Sequence, residues 1–226
     1  MHTIVVNSQK GGSGKSTLCR VLAVEATRTR NAAPVYLIDL DEQGTLAQWH
    51  EAREADEPRR VELPVEQISA GLDILKSQKA GYVFIDTPPN AGVFLDQVFG
   101  VADLVIVPVK PTPDDLRSAA VTVARLKALQ APFLFVITQA IRNANITAQA
   151  IAALSHHGPV AETIIVNRAS YPAAFTDGRT PQELDPKGAA AKEIAGLWGF
   201  LDSYLGGKHT ARKSKVKSLN LGASHG

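Results

Sequence analysis

Short apolar runs recur along the chain, and stretches with helical spacing lie between them. The runs are Thr3–Asn7, Val35–Asp39, Tyr82–Asp86, Leu104–Val107, Phe133–Thr138 and Glu162–Val166. They are continuous and rich in Val and Ile, the pattern of strands buried on both faces. Between them, Ser16–Arg30 places Leu18, Val21, Leu22 and Ala26 on one side. Asp114–Leu129 does the same with Leu116, Ala119, Val123, Leu126 and Leu129. This alternation predicts an α/β fold, with a mostly parallel central sheet between two layers of helices. No repeat or linker interrupts it before about Gly206, so one domain is expected over residues 1–206, followed by a tail, 207–226.

Composition narrows the picture. Charged residues make up 20% and the hydrophobic class 45% of 226 residues, a globular balance. The one cysteine, Cys19, excludes a disulfide framework, a four-cysteine zinc site and an iron–sulfur cluster held within one subunit. No apolar run is long enough to cross a bilayer, and the first ten residues do not read as a secretory signal. A cytoplasmic protein is expected. All 22 acidic residues and 19 of the 24 Lys and Arg precede position 208, which leaves the body at −3 and the last 19 residues at +5. That tail, Lys208–Lys217 above all, lacks aromatics for stacking on bases. It reads either as an additional set of phosphate contacts or as a solvated, disordered segment without a task.

The first run leads into Ser8-Gln9-Lys10-Gly11-Gly12-Ser13-Gly14-Lys15-Ser16-Thr17 and then a helix. Glycines let backbone N–H groups turn inward around a phosphate, and the helix N-terminus adds its positive end. Lys15 then bridges β- and γ-phosphates, Ser16 is placed to ligate Mg²⁺, and Thr17 sits near the α-phosphate. The generic G-x-x-x-x-G-K-[ST] pattern fails, because Gln9 occupies its first glycine. The variant K-G-G-x-G-K-[ST] fits, with Lys10 as an extra lysine able to swing toward a nucleotide held by another subunit. The fold expected is therefore a three-layer P-loop NTPase domain.

Two further runs end in acids. Asp39-Leu40-Asp41 puts two carboxylates on one side of the chain, one for the Mg²⁺ water shell and one to position an attacking water. Asp86-Thr87-Pro88-Pro89 supplies a second metal-side carboxylate and a stiff loop able to sense a γ-phosphate.

Taken together, KGGSGKST, DLDEQ and FIDTPP resemble the ParA/Soj–MinD family of variant Walker A ATPases. So do Val107–Asp115 and Asn167–Tyr171, with Asp177-Gly178 and Gly188–Glu193 beyond them. The resemblance covers about residues 2–204 and is closest to short plasmid-type ParA proteins, which lack a leading DNA-reading domain. It implies binding of ATP/ADP and Mg²⁺, an ATP-dependent homodimer able to extend to polymers, and non-specific DNA binding in the ATP state. It also implies slow hydrolysis stimulated by a centromere-binding partition protein, and association with the nucleoid and not the membrane. By this resemblance Lys10, Lys15 and Asp41 are the catalytic residues. Gly11, Gly12, Ser13, Gly14, Lys15, Ser16, Thr17 and Pro111 hold the nucleotide, and Ser16, Asp39 and Asp86 serve the metal.

Two positions depart from the family. Glu42 replaces a frequent proline, which suggests slowed or retuned hydrolysis. Thr138-Gln139-Ala140 replaces the usual base-recognition segment. Arg142, Arg168, Arg179, Lys187 and Lys192 are body residues placed as candidates for DNA contact. Alternative readings are a ParA-like ATPase that positions a protein cargo and an ATP-dependent ligase of the dethiobiotin synthetase type. Cys19 is expected to pack in the core, and His156-His157 to mark a helix stop.

Overall fold

The computed structural model describes residues 1–28, 33–89, 92, 94–142 and 144–221, with side chains as far as 207. Its strands are β1 (His2–Val6), β2 (Val35–Asp39), β3 (Arg59–Arg60), β4 (Tyr82–Asp86), β5 (Leu104–Val109) and β6 (Phe133–Ile137). They form one sheet in the order β3-β2-β4-β1-β5-β6, with every pairing parallel. The helices are α1 (Lys15–Thr27), α2 (Thr45–Glu51), α3 (Ile68–Ser77), α4 (Phe94–Gly100), α5 (Pro113–Ala128), α6 (Asn145–Ser155), α7 (Ser170–Phe175), α8 (Pro181–Leu184) and α9 (Ala189–Leu221). The end of the helix expected over Ser16–Arg30 falls outside the described residues. His156 caps α6, as the helix-stop reading required.

The continuous apolar runs are explained by two cores. Ile4, Val6, Leu37 and Phe84 face α1, α2 and α9 on one side. Val5, Ile38, Val83 and Ile85 face α3, α4 and α5 on the other. Alternate residues of each strand thus enter different cores, and neither face is left for water. Cys19 is fully buried in the first of these cores.

Two elements differ from the expectation. Glu162–Val166 is not a strand. Its one bridge is Ala140↔Val166, with a second isolated bridge, Phe135↔Val160, just before it, and the Ile165 N–H donates to the Ile137 carbonyl at the end of β6 (2.9 Å). Ala161 and Ile165 remain buried, but between them Thr163 turns toward α9, where Gly196 leaves room for it. The other edge is β3, two arginines paired with Tyr36 and Leu37. A pair of charged residues carries no strand signature, yet a short charged strand closes an edge well against further pairing. Beyond Gly206 the backbone of α9 stays helical to Leu221, where a tail without structure is expected from composition; residues 222–226 lie outside the described residues. Among the described residues no helix is long and apolar enough to cross a membrane.

Register places the functional edge. Asp39 lies opposite Asp86, and Asp86 opposite Val6, so β1, β2 and β4 end level. The chain leaves β1 toward β2 on one side, while β5 pairs on its other side. The loop after β1 therefore opens at the crevice where the strand order reverses. Phe84, fully buried at the centre, tests this core: Phe84→Ala is expected to lower unfolding free energy by about 3–5 kcal/mol. The same change at exposed Ile74 (58% exposed) should cost less than about 0.5 kcal/mol; urea melts of both variants check the contrast.

Candidate functional site

The loop 8–14 folds as a cradle because two of its glycines take a backbone that other residues avoid. Gly12 has φ +69° and Gly14 φ +100°. Gly14 then caps α1, its carbonyl accepting from the Leu18 N–H. The loop is also held from outside. Thr138 Oγ1 donates to the Ser13 carbonyl (2.7 Å), and Gln139 Nε2 donates to the Gly12 carbonyl (2.7 Å). The segment that departs from the family pattern is thus the phosphate loop's own brace.

A cavity of about 1100 Å³ opens over the loop. It is lined by Gly11, Gly12, Gly14, Lys15, Ser16 and Thr17 on one side and by Asp41, Glu42, Pro88 and Pro89 on the other. The structure therefore brings most of the expected site residues together. Ser13 and Pro111 are both buried and do not line this space. Lys110, which carries no expected role, places its ammonium 3.6 Å from the point where a Cβ would project from Gly12.

At the floor lies Asp86, fully buried at the end of β4. Neither of its carboxylate oxygens has a hydrogen bond of acceptable geometry among the described residues. Burial pushes its pKa up to about 7. The nearby Ser16 hydroxyl and Lys15 oppose that rise, and Asp39 and Asp41 add to it. Lys15, only 7% exposed, is pushed down by burial and pulled back up, first by Asp86 and then by Asp41. Among the described residues no three His, Cys, Asp or Glu side chains gather as a metal cage. That donor set fits Mg²⁺, which takes one or two protein oxygens and fills its remaining positions with water and phosphate. The orphaned Asp86 carboxylate beside Ser16 supplies such oxygens.

The acidic loop after β2 is more committed. Asp39 Oδ2 accepts from the Leu46 N–H (3.1 Å) and the Ala47 N–H (2.9 Å), and Oδ1 accepts from the Asp41 N–H (3.1 Å). It anchors the start of α2 and the turn that carries Asp41. Asp41 Oδ1 accepts from the Gln43 N–H (3.1 Å), and the residue lines the larger cavity.

Lys10 turns away from the cradle. Its ammonium donates to Asp115 Oδ2 (2.9 Å) and lies 4.0 Å from Asp114, with the side chain 41% exposed. Thr112, the N-cap of α5, donates to the same Asp115 oxygen (2.6 Å).

A second cavity of about 240 Å³ adjoins the first and shares Gly14, Thr17 and Gln139 with it. Its other walls include Leu18, Thr138, Asn167, Tyr171, Pro172 and Phe175. The Tyr171 hydroxyl is buried without a hydrogen-bond partner among the described residues. Sequence reasoning missed this space, because its walls come from α1, from the turn after β6 and from α7. Of the residues considered for DNA contact, Arg168 pairs with Glu193 and Arg179 with Asp177, while Arg142, Lys187 and Lys192 are exposed.

Asp86 gives a signed prediction. Its folded value lies above the unfolded one, so the folded chain binds the extra proton and stability falls as pH rises from about 4 through 7. Asp86→Asn should raise the melting temperature of the nucleotide-free protein at pH 8. Each tenfold difference in proton affinity between the folded and unfolded chain corresponds to about 1.4 kcal/mol. The gain should vanish near pH 4, and melting curves at both pH values check it.

The CobQ/CobB/MinD/ParA nucleotide binding domain model matches residues 4–181. The chain is 27% identical to Protein ParA of Rhizobium radiobacter over 188 residues, 79% of this chain and 84% of that one. It is 28% identical to maintenance of carboxysome distribution protein A of Halothiobacillus neapolitanus (strain ATCC 23641 / c2) over 207 residues, 85% of this chain and 92% of that one. The septum site-determining protein MinD of Pyrococcus horikoshii OT3, complexed with Mg-ADP, shares the fold. Its TM-score is 0.74 at 15% identity, covering 91% of this chain and 97% of that one. With a glycine cradle, two lysines and a buried aspartate on this fold, the chain belongs to the CobQ/CobB/MinD/ParA nucleotide-binding family.

Proposed function

We propose that this chain is an ATP-dependent dimerising switch for DNA partitioning. Residues 1–206 form its ATPase domain, and the segment from 207 onward adds basic charge. The observation that carries the reading is the division of labour between two lysines of one loop. Lys15 is buried in the cradle, whereas Lys10 points outward and its ammonium pairs with acids of α5. A single phosphate site has no use for the second lysine. A site completed by another copy of the chain does, once Lys10 leaves Asp115.

The two adjoining cavities suit the two ends of a nucleotide. Phosphates lie on Gly11–Thr17 and the base lies between Leu18, Pro172 and Phe175. Mg²⁺, when bound, neutralises charge on the β- and γ-phosphates; Ser16 and Asp86 would hold it, the latter through water. Lys15 holds the terminal phosphates. Asp41, on its anchored turn, orients a water whose oxygen attacks the γ-phosphorus as the bond to the bridging oxygen breaks. Glu42 adds a second negative charge beside that water and slows the step. ADP and phosphate depart, and the copies separate. In the ATP state the dimer binds DNA without sequence preference, through Arg142, Lys187, Lys192 and the basic segment, and a centromere-binding protein accelerates turnover. A second reading, the positioning of a protein cargo by the same cycle, is favoured by the likeness to the carboxysome distribution protein. It differs only in what the partner carries.

Sizing the protein with ADP and with a non-hydrolysable ATP analogue, with and without unrelated duplex DNA, tests the cycle. A dimer confined to the analogue, and DNA binding confined to that dimer, are expected. Lys10→Ala should keep analogue affinity but stay monomeric, and a normal dimer would remove the role given to Lys10. Asp41→Ala should bind ATP, lose turnover by a factor on the order of 10² or more, and accumulate as dimer in chromatography with ATP.

A further inference from the structure

Ser16 and Arg20 stand one turn apart on α1, on the same face of the helix. Both line the larger cavity, and Arg20 is 7% exposed. A buried guanidinium needs partners for its fork of donors, and here they come from three directions. One Nη donates to the carbonyl of Thr45, the first residue of α2. The guanidinium carbon lies 4.6 Å from the Phe175 ring centre and 5.7 Å from the Trp49 ring centre. Phe175 is a wall of the smaller cavity, and Trp49 belongs to α2. The Nε donor is buried with no hydrogen-bond partner among the described residues.

These contacts have a common effect. Asp39 fixes the start of α2 from below, through the Leu46 and Ala47 N–H groups. Arg20 fixes the same turn from the side of the phosphate-loop helix. The Asp41–Gly44 turn, closed by the Gly44 N–H on the Asp41 carbonyl, hangs between these two anchors. Its distance from Lys15 and Ser16 is therefore set by a residue that itself lies against the base-side wall. Burial works against the Arg20 charge, and Asp86 and Asp39 favour it.

From this geometry we infer that Arg20 is a positioning residue for hydrolysis, tying the Asp41 turn to the phosphate-loop helix and, through Phe175, to occupancy of the smaller cavity. The inference rests on the ATPase reading above. It needs the fork and not the charge alone, since an ammonium has no planar group with which to hold a carbonyl and meet two rings at once.

The test compares full-length wild type, Arg20→Met and Arg20→Lys. ATP turnover is measured at saturating Mg-ATP with duplex DNA present, and affinity is measured separately with a fluorescent ATP analogue. Arg20→Met should lose about tenfold in kcat, the scale of a small misplacement of a catalytic group, while the Kd stays within about twofold. Arg20→Lys, which keeps the charge and guards against a failure of Arg20→Met to fold, should lose kcat by a smaller factor at unchanged Kd. Phe175→Leu added to Arg20→Met should change kcat no further than the single variant does, because the ring contact is already gone. Unchanged kcat in either Arg20 variant overturns the inference, as does an equal loss of kcat and affinity. A wild type that binds the analogue but never hydrolyses ATP overturns the ATPase reading itself, and is told apart because it appears before any variant is compared.

Discussion

The site is organised around one uncomfortable group, the Asp86 carboxylate. Parallel register ends β1, β2 and β4 level, and so places this acid inside the protein directly under the loop that follows β1. In that position it meets no donor of acceptable geometry among the described residues, and its field reaches Lys15, Cys19 and Arg20. A buried carboxylate without a hydrogen-bond donor is held at the expense of stability. The surrounding groups are those able to relieve it: an ammonium sunk into the cradle, a serine hydroxyl, and a guanidinium on the next turn of α1. The same frustration that weakens the empty protein favours whatever brings positive charge to the floor of the cavity.

What was legible in the sequence was what depends on near neighbours. Glycines between a strand and a helix fix the backbone of Gly12 and Gly14 locally, so spacing alone located the cradle. Runs such as YVFID announce a doubly covered strand, because burial on both faces leaves polar residues only at the strand's end. The failures fall at the edges. Glu162–Val166 has strand composition, but at the rim of the sheet it keeps only an isolated bridge while Thr163 lies against Gly196 of α9. Arg59–Arg60 has no strand composition and pairs because β2 offers it an open edge.

The site roles that sequence missed are those made by distance. Arg20 is an ordinary helix residue until Thr45, Trp49 and Phe175 close around it. Gln139 and Thr138 look like a departure from a pattern until their side chains are seen holding the Gly12 and Ser13 carbonyls. Asp39 was legible as an acid at the right edge, but not as the anchor of a helix start that begins several residues later. The two cavities share a wall of Gly14, Thr17 and Gln139, so the brace on the phosphate loop also borders the smaller space.

Cys19 gives the molecule an unplanned convenience. It is the chain's sole sulfhydryl, fully enclosed three residues beyond Ser16, and burial pushes its thiol well above the ordinary range. Maleimides and iodoacetamides therefore have nothing to attack while α1 remains packed. Dyes or spin labels can be installed at newly introduced surface cysteines without first deleting the native one, and any slow modification of the parent protein clocks the opening of its interior.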